Sequence, residues 1–372
     1  MSVAPLGLYV HVPFCLKKCD YCAFASAIPS PETISKYIDG ISRELTRRLS
    51  SDLARRITTV FIGGGNPTAI GPRPFASLVH FLTKCLRGAS IAEWTIETNP
   101  ETLTPEFLPI LRDLPKLRLS IGAQRLDDDQ LIRLGRLGTQ ARLEKALDLA
   151  FSLTKRVGID LILGIPGCPS VSEDLAKLLE RFQLEHISAY FLTAEPETPL
   201  GEAVASGKFP DPADVGPEEL FELAAVLRSR DFEHYEISNF ARQGGRCRHN
   251  MGYWDGNDYL GFGPAAVETL DGRRCTNPAT LIDWLGDVPR EIEPLSPSIQ
   301  AREYLMLHLR LISDGLNLRS YERRFGLPSS TLLAALQEQT SLGFIEHSGD
   351  VFRLARSGII IANRVIASLF DD

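Results

Sequence analysis

The stretch HVPFCLKKCDYCAFAS, residues 11–26, sets Cys15, Cys19 and Cys22 within eight positions. It runs straight out of LGLYVHV (6–12), a β-branched and aromatic-rich strand candidate. The thiols therefore belong to a loop at a strand's C-terminal end. A structural zinc site takes four ligands, usually as two separated pairs. Here a second pair is missing, and His11 is the only local fourth donor. A redox C-x-x-C uses Cys19 and Cys22 and leaves Cys15 without a role. Electron-transfer clusters usually take four cysteines. Three thiolates on a cubane leave one iron open, which is what a substrate-binding cluster needs. Cys85, Cys168, Cys247 and Cys275 are scattered, and seven is an odd count, so the chain reads as reduced thiols rather than a disulfide framework.

Working outward, five more strand candidates follow: TVFIGG (59–64), EWTIET (93–98), KLRLSIG (116–122), GIDLILG (158–164) and HISAYFL (186–192). Helical patterns lie between them at 35–50, 74–86, 141–154 and 171–182. Thr104-Pro105 and Ser170–Glu173 read as helix starts. Such alternation implies parallel strands with right-handed crossovers. Six units predict an α/β fold, a partial TIM-like (β/α)6 barrel, with a doubly wound open sheet as the alternative. In a barrel the cysteine loop sits at the C-terminal mouth, where such folds place their chemistry. Residues 196–219 read as a long surface connection, 244–266 as an aperiodic Gly-rich and aromatic loop, and 291–300 as a linker. The remainder has the helix, helix, short strands, helix order of a winged-helix-like module. The expected units are 1–240, 241–298 and 299–372.

Other strand ends carry polar groups. FIGGGNPT (61–68) brings three glycines, which allow close approach of backbone to a ligand; a plain tight turn is the bland reading. Glu97 ends the third strand, where a carboxylate suits a ribose hydroxyl. Gln124 follows the fourth, Arg136 lies in RLGR, and Asp160 interrupts an apolar strand and needs a partner or ligand. At successive strand ends these converge on one pocket.

Composition limits the rest. The 372 residues carry a formal net charge of −7, which offers no basic surface for nucleic acid. The N-terminus lacks a charged and then apolar leader pattern, and no apolar run reaches the ~20 residues that span a bilayer, so a cytoplasmic protein is expected.

Together, YVHVPFCLKKCDYC, FIGGGNPT, IETNPE, SIGAQ, GRLG, IDLILGIPG, LTAEPETPL, CRHNMGYW, YLGFGPAA and the C-terminal module resemble, in order, the HemN-like radical S-adenosylmethionine (SAM) family. The resemblance implies a [4Fe–4S] cluster on Cys15, Cys19 and Cys22 whose open iron chelates SAM. It implies Tyr9, Gly64 and Glu97 around that SAM, and Tyr21, Gly65, Asn66, Gln124, Arg136 and Asp160 around a second SAM or substrate. Two branches of the family matter here. One decarboxylates coproporphyrinogen III and carries a fourth cysteine and a longer leading segment. The other comprises haem chaperones. Phe24 stands at the fourth-cysteine position and fourteen residues precede Cys15, so the resemblance favours the chaperone branch. CRHNMGYW (247–254) looks like that branch's H-N-x-x-Y-W motif, implying His249 and, more weakly, Cys247 as haem ligands, with Tyr253 and Trp254 against the porphyrin. Implied partners are haem, haem-acceptor proteins, a flavodoxin- or ferredoxin-type reductant and peripheral contact with membrane haem proteins. Porphyrinogen decarboxylation is not expected; SAM cleavage is left open. A methyltransferase or haem-degrading activity is a third reading, supported by no extra domain. Asn66 for Thr, AQRL for VQSF and Val267 for His depart from the family pattern.

Overall fold

The computed structural model describes residues 5–370. The first four residues of the expected 1–240 unit, including the start of the stretch read for a leader, and the last two of the 299–372 unit lie outside the described residues. Six strands run β1 (Leu6–Val12), β2 (Ile57–Gly64), β3 (Glu93–Thr98), β4 (Leu117–Gln124), β5 (Val157–Leu163) and β6 (His186–Phe191). All adjacent pairs are parallel, and their order in space is their order in the chain. A doubly wound sheet reverses strand order at a switch point. No reversal occurs among these six, so the barrel-type winding holds and the doubly wound alternative falls.

The strands follow a period of two, broken by a register shift between Gly122 and Gln124 of β4. Leu6, Leu8, Val10 and Val12 of β1, with Val60, Ile62, Ile96, Leu119, Ile121, Ile159 and Leu161, form one face. That face packs on the helices Pro31–Arg48, Pro72–Cys85, Gln140–Phe151 and Ser172–Arg181 through Ile41, Leu45, Phe75, Leu82, Leu147 and Leu175. Complete burial of one such side chain contributes about 1.5–3 kcal/mol. The first helix begins at a capping box, Ser30 with Thr33, with Pro31 preset in φ at its first turn. The opposite, inner face carries Tyr9, His11, Thr59, Phe61, Glu93, Thr95, Glu97, Arg118, Ser120, Asp160, His186 and Ser188. Its polar character makes it a place for ligands rather than a second core.

Three parts of the sequence reading change. The aperiodic 244–266 stretch contains the helix Arg248–Trp254 and a further strand, β9 (Tyr259–Phe262); β7 (Glu233–Glu236) and β8 (Asn239–Ala241) precede it. β9 pairs parallel with the free edge of β1, and β8 pairs antiparallel with β6. β10 (Val267–Leu270), β11 (Arg273–Thr276) and β12 (Glu291–Pro294) then extend the sheet antiparallel. The stretch read as a linker therefore begins as an edge strand, where Pro294 is tolerated. The 196–219 connection folds into the helix Pro199–Ala205 and a short 3₁₀ turn at Pro212–Asp214.

Beyond Ser296, the helix Pro297–Arg310, β13 (Leu316–Asn317), the helices Leu318–Phe325 and Ser330–Ser341, and the hairpin β14 (Ile345–Ser348) with β15 (Val351–Leu354) give a winged-helix order. It has its own core of Leu305, Leu309, Leu336, Ile345 and Leu354.

Candidate functional site

The cysteine loop is pinned through its backbone. The Cys15 amide donates to Ala27 O at 3.0 Å and Ala27 donates back to Pro13 O at 2.8 Å. Gly65 and Asn66 amides donate to Val12 O at 2.9 Å and Phe14 O at 2.7 Å, while the Leu200 amide donates to Asp20 O at 2.8 Å. A Cβ at Gly65 would lie 2.6 Å from Phe14 O, so the glycine run lets β2 close onto the loop's root. All seven cysteines are free thiols. Burial pushes the Cys15 thiol up to about 11, with the nearby Cys22 and Cys19 adding to the rise against a Ser26 hydrogen bond, and burial also raises Cys22. Among the described residues no three His, Cys, Asp or Glu side chains converge as a single-ion site requires. Three thiols on one loop are a donor set that could hold an iron–sulfur cluster. Arg136 Nη1 stands 3.5 Å from Cys19 Sγ, and its buried Nε has no partner. A cation held beside three thiols with a donor unspent suits an anionic group.

Other expected residues gather above this loop. Gly64 (φ 110°) donates its amide to Glu97 Oε2 at 3.0 Å. Burial, then Asp160, pushes the Glu97 carboxyl up to about 8, the Gly64 hydrogen bond opposing. Tyr9, beside Glu97, has its phenol held above the usual range by burial and by that carboxylate. Tyr21 and Arg136 lie against Cys19. Arg136 Nη2 donates to Gly122 O at 2.9 Å, and Gln124 Nε2 and Asn99 Oδ1 stand over the same glycine. Asp160 accepts from Ser120 Oγ at 3.1 Å, and burial raises its carboxyl. The Asn66 side chain is the exception. It is 2 % exposed, donates to Thr102 Oγ1 at 2.9 Å and accepts from Thr68 Oγ1 at 2.9 Å. Its amide is spent in a buried threonine cluster and does not line a ligand pocket.

The CRHNMGYW helix lies at the other end of the strands and floors the barrel. His249 is 2 % exposed, with Nδ1 2.9 Å from Thr59 Oγ1 and Nε2 2.8 Å from Tyr253 Oη. Either tautomer occupies both nitrogens, and burial drives the imidazole down to about 3. A Cβ at Gly7 would come within 3.1 Å of the ring, so the bare strand start makes its seat. Glu93, fully buried, accepts from the His249 amide at 3.1 Å and from Arg156 Nη2 at 2.8 Å. Cys247 lies behind this floor, buried. Its Sγ lies 3.6 Å from Glu93 Oε1, and burial beside that carboxylate pushes the thiol up to about 12. Its thiol faces Glu93, and Cys247 is not among the residues that line the cavity below the floor. Trp254 packs beneath Arg310 of the C-terminal module, 5.3 Å from the guanidinium carbon. A cavity of about 590 Å³ opens below the floor, lined by Arg248, His249, Met251, Tyr253 and Tyr259. Sequence reasoning missed Phe61, Thr59, Glu93 and Arg118. Their signal is the period-two position they share with Glu97 and Asp160 on the inner face.

The radical SAM superfamily model matches residues 9–180, and the HemN C-terminal domain model matches 295–361. Coproporphyrinogen III oxidase (HemN) from Escherichia coli superposes with a TM-score of 0.79 at 21 % identity, covering 98 % of this chain and 90 % of that one. The chain is thus a radical SAM protein with a HemN-type C-terminal domain, and its family implies SAM and a [4Fe–4S] cluster. The heme chaperone HemW of Mycobacterium tuberculosis is 32 % identical over 390 residues, covering 99 % of this chain and 96 % of the relative. That of Bacillus subtilis is 27 % identical over 379 residues, covering 98 % and 99 %. The chain belongs to the HemW family.

Proposed function

We propose that this chain binds haem and passes it to acceptor haem proteins, using a [4Fe–4S] cluster and SAM at the opposite end of the barrel. Its full-length similarity to HemW relatives carries the reading; the floor cavity beside the H-N-x-x-Y-W helix supports it. Haem enters that cavity with the ring of Tyr253 as its wall, and His249 Nε2 reaches iron once the Tyr253 hydroxyl moves aside. Arg248, exposed at the rim, suits a propionate.

Cys15, Cys19 and Cys22 would hold the cluster, which when bound supplies one-electron reduction and an iron for SAM. Tyr9, Gly64 and Glu97 would orient that SAM. Tyr21, Gln124, Arg136 and Asp160 would line a second pocket, with the backbone of Gly65 and Asn66 at its edge. A low-potential donor of flavodoxin or ferredoxin type is the expected reductant. Among the described residues no helix is long and apolar enough to cross a membrane. We place the chain in the cytoplasm, meeting membrane haem proteins at their surface.

Titration of the chain with ferric haem, followed by transfer to an apo-cytochrome, tests this reading. Anaerobic incubation with reductant, SAM and coproporphyrinogen tests the alternative. Protoporphyrinogen formation would make the chain a decarboxylase and overturn the chaperone assignment.

A further inference from the structure

The inner face is polar along β3 to β6, where Thr95, Glu97, Ser120, Asp160 and Ser188 project. Along β1 and β2 it is filled with rings. Tyr253 and His249 lie 4.9 Å apart between ring centroids, His249 and Phe61 5.1 Å, Phe61 and Tyr9 6.1 Å, and Tyr9 and His11 5.9 Å. His11 Nε2 then meets Ala25 O of the cysteine loop at 3.4 Å. The series starts at the wall of the floor cavity and ends on the loop that carries Cys15, Cys19 and Cys22. Three glycines make room for it. A Cβ at Gly7 would stand 3.1 Å from His249, one at Gly63 2.7 Å from Phe61, and one at Gly64 2.7 Å from His11. Phe61 is apolar among polar neighbours, hydrogen-bonds to nothing and fills the middle of the column.

We propose that Tyr253, His249, Phe61, Tyr9 and His11 form a conduit that carries one electron from the cysteine-bound cluster to ferric haem in the floor cavity. Electron transfer through protein weakens steeply with each gap, and ring π systems in contact divide one long gap into short ones. The step balances as a single-electron exchange. The reduced cluster loses one electron, ferric haem becomes ferrous, and no bond to carbon breaks and no proton moves. The electron enters the cluster from an external low-potential one-electron donor. The inference rests on the cluster and haem positions proposed above.

The test uses the full chain with its cluster reconstituted, photoreduced anaerobically with a deazaflavin, then mixed in the dark with ferric haem. Stopped-flow absorbance follows the Soret shift to ferrous haem, and freeze-quench EPR follows loss of the reduced-cluster signal. The parent should reduce one haem per cluster in a first-order phase independent of haem concentration. Phe61→Leu should slow that phase about tenfold or more, and Phe61→Trp should restore most of it. Haem titration and the starting EPR signal of each variant confirm equal loading. Equal rates in parent and Phe61→Leu at equal loading overturn the conduit and leave the haem and cluster sites standing. A rate that still rises linearly at haem concentrations well above the dissociation constant also overturns it, since reduction is then collisional. A parent that takes up no haem, or shows no reduced-cluster signal, overturns the underlying site and the conduit with it.

Discussion

Glu97 Oε2 accepts a hydrogen bond from the Gly64 amide at 3.0 Å, joining the ends of β3 and β2 above the cysteine loop. That bond favours the carboxylate, yet burial wins and the group's pKa rises from 4.5 to about 8. The folded chain therefore keeps a proton that the unfolded chain releases near pH 4.5. Stability falls as pH climbs from about 4.5 to about 8 and flattens above. Glu97→Gln removes this slope. Urea melts should show the variant gaining on the parent by a few kcal/mol between pH 5 and pH 8.5. An identical stability difference at both pH values would contradict the buried, protonated state.

Tyr253→Phe should tighten haem binding. The phenol hydroxyl occupies His249 Nε2 at 2.8 Å, and removing it leaves that nitrogen buried and unpaired. The net value of such a bond, about 0.5–1.5 kcal/mol, is then no longer lost when iron binds. Dissociation constants for ferric haem should fall about two- to tenfold, with the apo form less stable by a similar free energy. An unchanged constant in the phenylalanine variant would mean that iron does not reach this imidazole.

Legibility followed the range of the interactions. The six parallel strands announce themselves through alternating β-branched residues, because each is half-buried against its own neighbouring helices. β9 does not, since YLGF is short and glycine-containing, and its partner β1 lies some 250 residues earlier in the chain. β12 hid behind two glutamates and Pro294, which are features of an exposed edge strand as much as of a linker. The cysteine spacing and the strand-end place of Glu97 are visible in the sequence, and the fold brings both to the same end of the strands. For Asn66 and Cys247, identity and motif say nothing about which way the side chain turns. Asn66 turns toward Thr68 and Thr102, and Cys247 toward Glu93.

Asn66→Ala separates fold from site. The substitution leaves Thr68 and Thr102 short of a partner in a cluster that solvent does not reach. It should cost about 1–3 kcal/mol, read as a lowered denaturation midpoint. The Asn66 amide still donates to Phe14 O, so the cysteine loop keeps its root and cluster content should be unchanged. Loss of cluster with undiminished stability would return the side chain to the ligand pocket.

Replacing Cys15, Cys19 and Cys22 together by Ala should abolish iron–sulfur absorbance while leaving the barrel folded. The loop's anchors are backbone bonds: Cys15 to Ala27, Ala27 to Pro13, Gly65 to Val12, Asn66 to Phe14 and Leu200 to Asp20. None of them uses a thiol. Burial raises the Cys15 and Cys22 thiols, so alanine at these two positions removes no stabilising charge. Far-UV circular dichroism and the melting temperature of the metal-free triple variant should match those of the metal-free parent. The floor cavity lies at the other end of the strands, so haem affinity should also be retained. A triple variant that keeps its cluster would refute the ligand assignment; one that loses haem as well would show that the two ends of the barrel are coupled through more than the rings between them.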